Sequence, residues 1–403
     1  MKVLLQFLCL FFVVNAFGQA DFQKQLQRKL ILAEDGSTIT LDEGVFTLTG
    51  SISLEGKKNI IIRGAGMDKT ILSFKGQTEG AEGLRVSNAE NIALENFTVQ
   101  DAKGDAIKTM NVAGIVFRNV KTEWTGEPKS SNGAYGLYPV MCQNVLIEGC
   151  VAIGASDAGI YVGQSKNIVV RNCKAYRNVA GIEIENSLMA DVYDNEATEN
   201  TGGLLVFDLP DLVQKKGGNV RLFNNHVHHN NFPNFAPKGN IVATVPQGTG
   251  VLILATNQVE VFNNRILNNN SIGTGIISYY ITENPIKDSL YYPYPTGIYI
   301  HDNVYARDRV RYQGKGRLGM LFRYKLRFGK NVPDIVYDGI VDEKTLENGQ
   351  VKPEARICIQ NNQNATFVNL DAANNFKNVS KDVQPYNCSL SPLKQAVLSM
   401  RER

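Results

Sequence analysis

The stretch GASDAGIYVGQSKNIVVRNCKAYRNVAGIEIENS, Gly154–Ser187, contains one strand twice. Gly159-Ile160-Tyr161-Val162 returns as Gly181-Ile182-Glu183-Ile184 after 22 residues. Apolar and variable side chains alternate in both copies, and a period of two belongs to a β-strand and not to a helix. The skeleton is kept while its second side chain changes from tyrosine to glutamate. One side of the strand is therefore held constant by packing, and the other is free to carry chemistry.

Outward from this stretch, hydrophobic triplets open a repeating unit: NIIIRG (59), NIALEN (91), GIVFRN (114), NVLIEG (144), NIVVRN (167), ADVYDN (190), NVRLFN (219), QVEVFN (258), GIYIHD (297) and RICIQN (356). Their basal step is 23 residues, stretched by insertions. Between them lies a second strand per unit: GLRV (83), AIKT (106), GLYP (136), GIYV (159), GIEI (181), GLLV (203), GVLI (250) and GIIS (275). Such a period marks a solenoid, and strands stacked unit on unit give an all-β parallel β-helix, a single-stranded coil of about ten rungs. Two rows of asparagine support it. Asn96, Asn119, Asn172, Asn195, Asn224, Asn263 and Asn361 recur at one turn, and Asn178, Asn200, Asn230 and Asn269 at another. Both rows are read as structural, passing amide hydrogen bonds from rung to rung.

A rod of this kind has open ends. FQKQLQRKLILA, residues 22–33, has apolar residues at 22, 26, 30 and 33 on one helical face, so segment 19–35 is expected to be a capping helix. The β-helix itself is expected over 36–379, with a long basic loop at 304–354 and a tail at 380–403 that closes the other end. The leading MKVLLQFLCLFFVVNAFGQA reads as a secretory signal over 1–18, cleaved after Gly18 or Ala20. Its apolar run is too short to span a bilayer. A secreted or periplasmic monomer without a membrane span is the expectation. Cys150 and Cys173 fall at equivalent repeat positions and read as stacked buried thiols, whereas Cys358 and Cys388 are the better candidates for a disulfide.

The entry segment GSTITLDEGVFTLTGSISLEGKKNIIIRGAGMDKTIL, Gly36–Leu72, resembles the first rungs of the pectin-lyase-like superfamily of secreted right-handed parallel β-helix proteins, and DAGIYVGQS (157), GIEIENS (181) and GLLVFDLP (203) are similar to its bacterial β-helix repeats. The resemblance implies a right-handed coil and a polysaccharide as partner, and it leaves the activity open, because fold does not fix function. The enzyme signatures of the superfamily are largely missing. Only Asp157 stands where polygalacturonases have paired aspartates, and no Gly-His-Gly occurs. Tyr135-Gly136-Leu137-Tyr138-Pro139-Val140-Met141 matches the frame of the mannuronan C5-epimerase strand without its aspartates and histidine, which disfavours that chemistry. The arginine motif of calcium pectate lyases is not recognisable, so no cofactor is assigned, with calcium left as the alternative.

If equivalent residues stack about 4.8 Å apart, the outward row of the second strand reads Lys108, Tyr138, Tyr161, Glu183, Leu205, and Asn111, Met141, Gln164, Asn186 and Asp208 follow three positions on, with Glu185 beside them. Tyrosine faces suit pyranose rings, and carboxylates and amides hold hydroxyls. Glu183, Asp208 and Asp157 are candidate catalytic groups. Lys108, Tyr138, Tyr161, Gln164, Glu185 and Asn186 are candidate substrate contacts. Asp157 has a second reading, as acceptor for turn amides, and the whole row has one as a solvated tyrosine ladder. From Arg307 to Lys330 nine basic residues face one acid, a net +8; removing it from the chain's +3 leaves −5. That patch either attracts an anionic polysaccharide or pairs with the acidic rod. His226 and His228 alternate on one side of a strand, with His229 adjacent, but the sequence supplies no neighbouring cysteine or methionine cluster, and no metal is assigned. Nucleic acid is excluded by the lack of a recognition motif. Two functions stay open: an enzyme of the lyase or glycoside hydrolase class, and a noncatalytic glycan-binding scaffold.

Overall fold

The computed structural model describes residues 22–310 and 320–399. The expected signal segment 1–18, the first residues of the expected cap, and Arg311, Lys315 and Arg317 of the basic run lie outside the described residues. One coil shows how the repeat closes. Ala158–Gly163 forms the first face, Lys166–Arg171 the second and Lys174–Tyr176 the third, and the chain re-enters the first face at Ala180. Between them the chain turns in two or three residues. Each corner has a residue in the left-handed region, Gln164 (φ 50°), Asn172 (φ 54°) and Arg177 (φ 59°). Asparagine fills so many of these corners because it tolerates that conformation better than other side chains.

Every strand of a face pairs in parallel with its equivalent one coil later, as in Tyr161 with Glu183 and Glu183 with Leu205. The first face stacks eleven strands, from Gly50–Glu55 to Phe367–Asn369, against about ten expected. Inward Ile, Leu, Val and Phe of the three faces form one continuous core along the rod. The last strands were hidden from the repeat pattern. The segment 304–354 is not one loop: Val304–Ala306 is a third-face strand and Ile335–Tyr337 a first-face strand. GIIS at 275 is out of step by two residues, since Thr274 pairs with Val251 and puts Gly273 at the position of Gly250.

The asparagine rows also need one correction. The buried ladder runs one residue after the left-handed corner, through Asn195, Asn225, Asn264, Asn303 and Asn362, with each amide donating to the next Oδ1 at 2.9–3.0 Å. Asn195 belongs to it, while Asp194 takes the corner (φ 54°) alongside Asn172 and Asn224. Cys173 begins the same row by donating its N–H to Asn195 Oδ1 at 2.9 Å. Asn178, Asn200, Asn230 and Asn269 form the second ladder as read, at 2.9–3.0 Å.

Both ends are covered by specific contacts. In the helix over 22–32, Leu26 and Leu30 are buried on the core and Phe22 stacks on Phe46 at 3.9 Å. Gln23 and Gln27 accept the N–H groups of Thr49 and Ser53, so side-chain amides pair an edge that would otherwise be open. At the far end Tyr386 packs on Phe367, and a Cys358–Cys388 disulfide ties the tail down. Beyond it the tail does not simply close the rod. It runs back along the second face, where Leu393, Ala396 and Ser399 donate N–H groups to Glu260, Asp191 and Asn144. Among the described residues no helix is long and apolar enough to cross a membrane.

Asn200→Ala is expected to cost about 3 kcal/mol in urea denaturation, because it strands the buried Asn178 N–H and side chain that donate to Asn200 Oδ1.

Candidate functional site

The outward row of the first face is continuous in register: Ser53, Arg85, Lys108, Tyr138, Tyr161, Glu183, Leu205, Leu252. Along the rod it passes from cations through aromatics to acids and then to apolar side chains. Arg85 is exposed and Lys108 and Tyr138 are half-buried, but Tyr161 is only 4% and Glu183 only 1% exposed. The alternation that suggested a solvated face is thus overruled here: strands Ala158–Gly163, Ala180–Glu185, Gly202–Phe207 and Thr249–Leu254 are buried on both sides.

The cover is made by insertions from both edges of the face. Residues 229–248 leave the corner between third and first faces, and residues 208–217 and 278–295 leave the corner between first and second. Val242, Val245, Tyr279 and Tyr291 pack with Tyr161, Leu205, Phe207 and Leu252 in a second hydrophobic cluster. Lys215 and Asp288 pair across two of the insertions. Asn240 reaches from the roof to Asp157 Oδ2 at 3.1 Å.

Beneath this roof three acids and three tyrosines meet. Tyr161 donates to Glu185 Oε1 at 2.6 Å, and Tyr135 to Asp157 Oδ2 at 3.4 Å. The rings of Tyr135, Tyr138 and Tyr161 are 4.4–5.0 Å apart. Gly163 makes the first bond sterically feasible, since a Cβ there would lie 2.3 Å from the Tyr161 ring. Burial, with repulsion from Glu185, pushes Asp157 up to about 7. Burial likewise raises Glu185 to about 7, against the opposing Tyr161 hydrogen bond. Glu183 is raised further by burial and by both neighbouring acids, and its Oε2 has no hydrogen-bond partner. At the open margin, burial lifts Asp105 to about 6 despite the opposing Lys108, whose ammonium is 3.9 Å from Asp105 and Glu82 and 5.0 Å from the Tyr138 ring centre.

The second set of candidates lies along the corner beside this cluster, where the charge of Asp208 helps raise Glu185. Gln164 and Asn186 are left-handed corner residues that satisfy backbone: Gln164 Oε1 accepts from Val213 and Gln214, and Asn186 exchanges hydrogen bonds with Leu209 and donates to Gln214. Asp208 is fully buried and accepts from the Gly217 N–H. It too is raised to about 7 by burial. These three hold the 208–217 insertion in place. In the basic run, Arg307 is spent on Asp334 at 3.3 Å, and Lys325 lies over Phe376. Tyr135, Asp105 and Asn240 were not singled out from the sequence. Tyr135 and Asp105 share one register position, two residues before Leu137 and Ile107, which a strict alignment of coils would have exposed. Asn240 lies in an aperiodic insertion with no such signal.

The raised acids make stability pH-dependent. Their protonated forms are favoured in the fold, so their contribution is complete below the ordinary carboxyl range near 4 and is lost as pH rises through about 7. Glu183→Gln is expected to melt above the native chain at about pH 8, with the gap narrowing toward about pH 5, at roughly 1.4 kcal/mol per pKa unit.

Residues 44–211 match the family model of the right-handed beta helix region. No curated protein sequence matches the chain. Among solved structures it is similar to a mannuronan C-5 epimerase A-module of Azotobacter vinelandii, with 15% identity, 81% of this chain and 86% of that chain covered, and a TM-score of 0.44. It is similar to an exopolygalacturonase of Thermotoga maritima, with 14% identity, 66% and 69% covered, and a TM-score of 0.46. Pectate lyase Pel9A gives 13% identity, 93% and 84% covered, and a TM-score of 0.41. These are similarities of fold alone. The parallel register of the coils and the match over residues 44–211 make the fold of this chain a right-handed parallel β-helix.

Proposed function

We propose that this exported protein takes the end of an anionic polysaccharide chain along the lane Arg85–Lys108–Tyr138 and cleaves its terminal glycosidic bond with Asp157 and Glu185 as the acid–base pair. The observation that carries this reading is the position of the acid cluster: it lies where an open cationic and aromatic lane runs into the roof. Arg85 and Lys108 offer positive charge to uronate groups, and Tyr138 offers a ring face. Asp157 and Glu185, 5% and 8% exposed, are less sealed than Glu183 at 1%. With apparent values near 7, the pair holds a proton for a leaving oxygen while its ionised member accepts one from water. Glu183, sealed behind them, keeps its own proton, since burial and both acids raise it. Export rests on the reading of residues 1–18 as a secretory signal.

Calcium does not suit this cluster. It takes about six to eight oxygens, whereas Glu185 Oε1 is engaged by Tyr161 and Asp157 Oδ2 by Tyr135 and Asn240. No step is assigned to it. The near-complete seal over Glu183 favours one second reading, a noncatalytic glycan-binding protein whose lane ends at the roof.

A panel of uronate polymers distinguishes the two, with new reducing ends and unsaturated ends as readouts. Turnover that falls about 100-fold or more in Glu185→Gln and Asp157→Asn supports the enzyme. Lys108→Ala should raise KM with little change in kcat, and the rate should decline above about pH 7. Saturable binding without turnover, weakened by Lys108→Ala, supports the second reading; neither turnover nor binding removes both.

A further inference from the structure

The third face carries a separate cluster. His226 and His228 stand two residues apart on one strand and so point to the same side, with ring centres 3.9 Å apart. In-register pairing sets His226 beside Glu196 and His228 beside Thr198 of the preceding coil. His228 Nε2 is 3.0 Å from Glu196 Oε1, and one donor atom from each of Glu196, His226 and His228 lies within 4.8 Å of the other two. We propose that these three side chains form a binding site for one divalent transition-metal ion of the zinc, copper and nickel class.

The donor set and its surroundings support this. Two imidazoles and a carboxylate suit borderline ions, and two donors 3.0 Å apart can each lie about 2.0–2.2 Å from a shared zinc. The outer nitrogen of His228 is held as that of a metal-bound histidine is held: Nδ1 lies 3.4 Å from Thr198 Oγ1 and 2.8 Å from His229 Nδ1. Lys174 takes the other oxygen of Glu196 at 2.9 Å, which orients the carboxylate and leaves Oε1 toward the histidines. All three side chains are half-buried and are reached from solvent. Lys174 and Thr198, which contact Glu196 and His228, also line a surface groove of about 510 Å³ with Lys121, Tyr176 and Glu199. The ion would tie two successive coils together and stabilise the rod by binding only the folded chain.

The test uses tag-free, chelator-stripped protein titrated with zinc chloride by calorimetry, with cobalt chloride followed by its visible absorption and magnesium chloride as the control ion. The expected result is one equivalent of zinc bound with Kd of about 1 μM or tighter, and a melting temperature that rises with zinc. His226→Ala, His228→Ala and Glu196→Gln should each weaken binding about 10-fold to 100-fold, while His301→Ala, on the second face, leaves it unchanged. Circular dichroism confirms that each variant folds. Absence of zinc binding, or binding that survives all three substitutions, overturns the proposal.

Discussion

Everything in this molecule depends on each coil lying in register on the one before it. A coil contributes few inward side chains and buries little by itself; only stacking turns those side chains into a core. The two buried asparagine ladders enforce the register. Each amide is donor and acceptor at once, so a slip of one residue would break both bonds and leave buried N–H groups without partners. Cys150 and Cys173 continue one of these rows as small apolar thiols, and Cys173 still feeds the ladder through its backbone N–H.

The same register creates chemistry. Residues 22 or 23 apart in the chain become lateral neighbours and those two further on become diagonal ones, so Tyr161 reaches Glu185 from 24 residues away, and Glu196 reaches His228 from 32. Regularity alone would leave such pairs in water, where their charges cost little. Insertions change this by covering the middle of the first face and leaving its amino-terminal part open. Desolvation beneath the cover then moves Asp157, Glu183 and Glu185 far from ordinary carboxyl behaviour. The acids owe their perturbed state to the roof, and one part of it, the 208–217 insertion, owes its anchorage to Gln164, Asn186 and Asp208, side chains of one row.

On the first face from Lys108 to Leu205, the amino-acid pattern and the structure agree residue by residue. The outward row Lys108, Tyr138, Tyr161, Glu183 is in register as its spacing implied. Agreement weakens where insertions lengthen the step: the Ile335–Tyr337 strand was concealed inside a basic segment, and the strand at Ile272–Ile277 was misplaced by two residues, a slip that a period of two cannot detect. A one-residue error moved Asn195 between a surface corner and a buried ladder, because consecutive asparagines such as Asn224 and Asn225 occupy both.

By itself the sequence determined the architecture and, on the first face from Lys108 to Leu205, the outward direction of side chains and the row they share, since these follow from periodicity and the geometry of stacked strands. Only the tertiary structure decided which part of a row is sealed, which acids hold their protons, and that Asn240 and Tyr135 join Asp157 while Glu196 joins His226 and His228. Those outcomes depend on where aperiodic insertions fold back and on which coil lies next to which. Burial and proximity are properties of the assembled rod, and no local pattern encodes them.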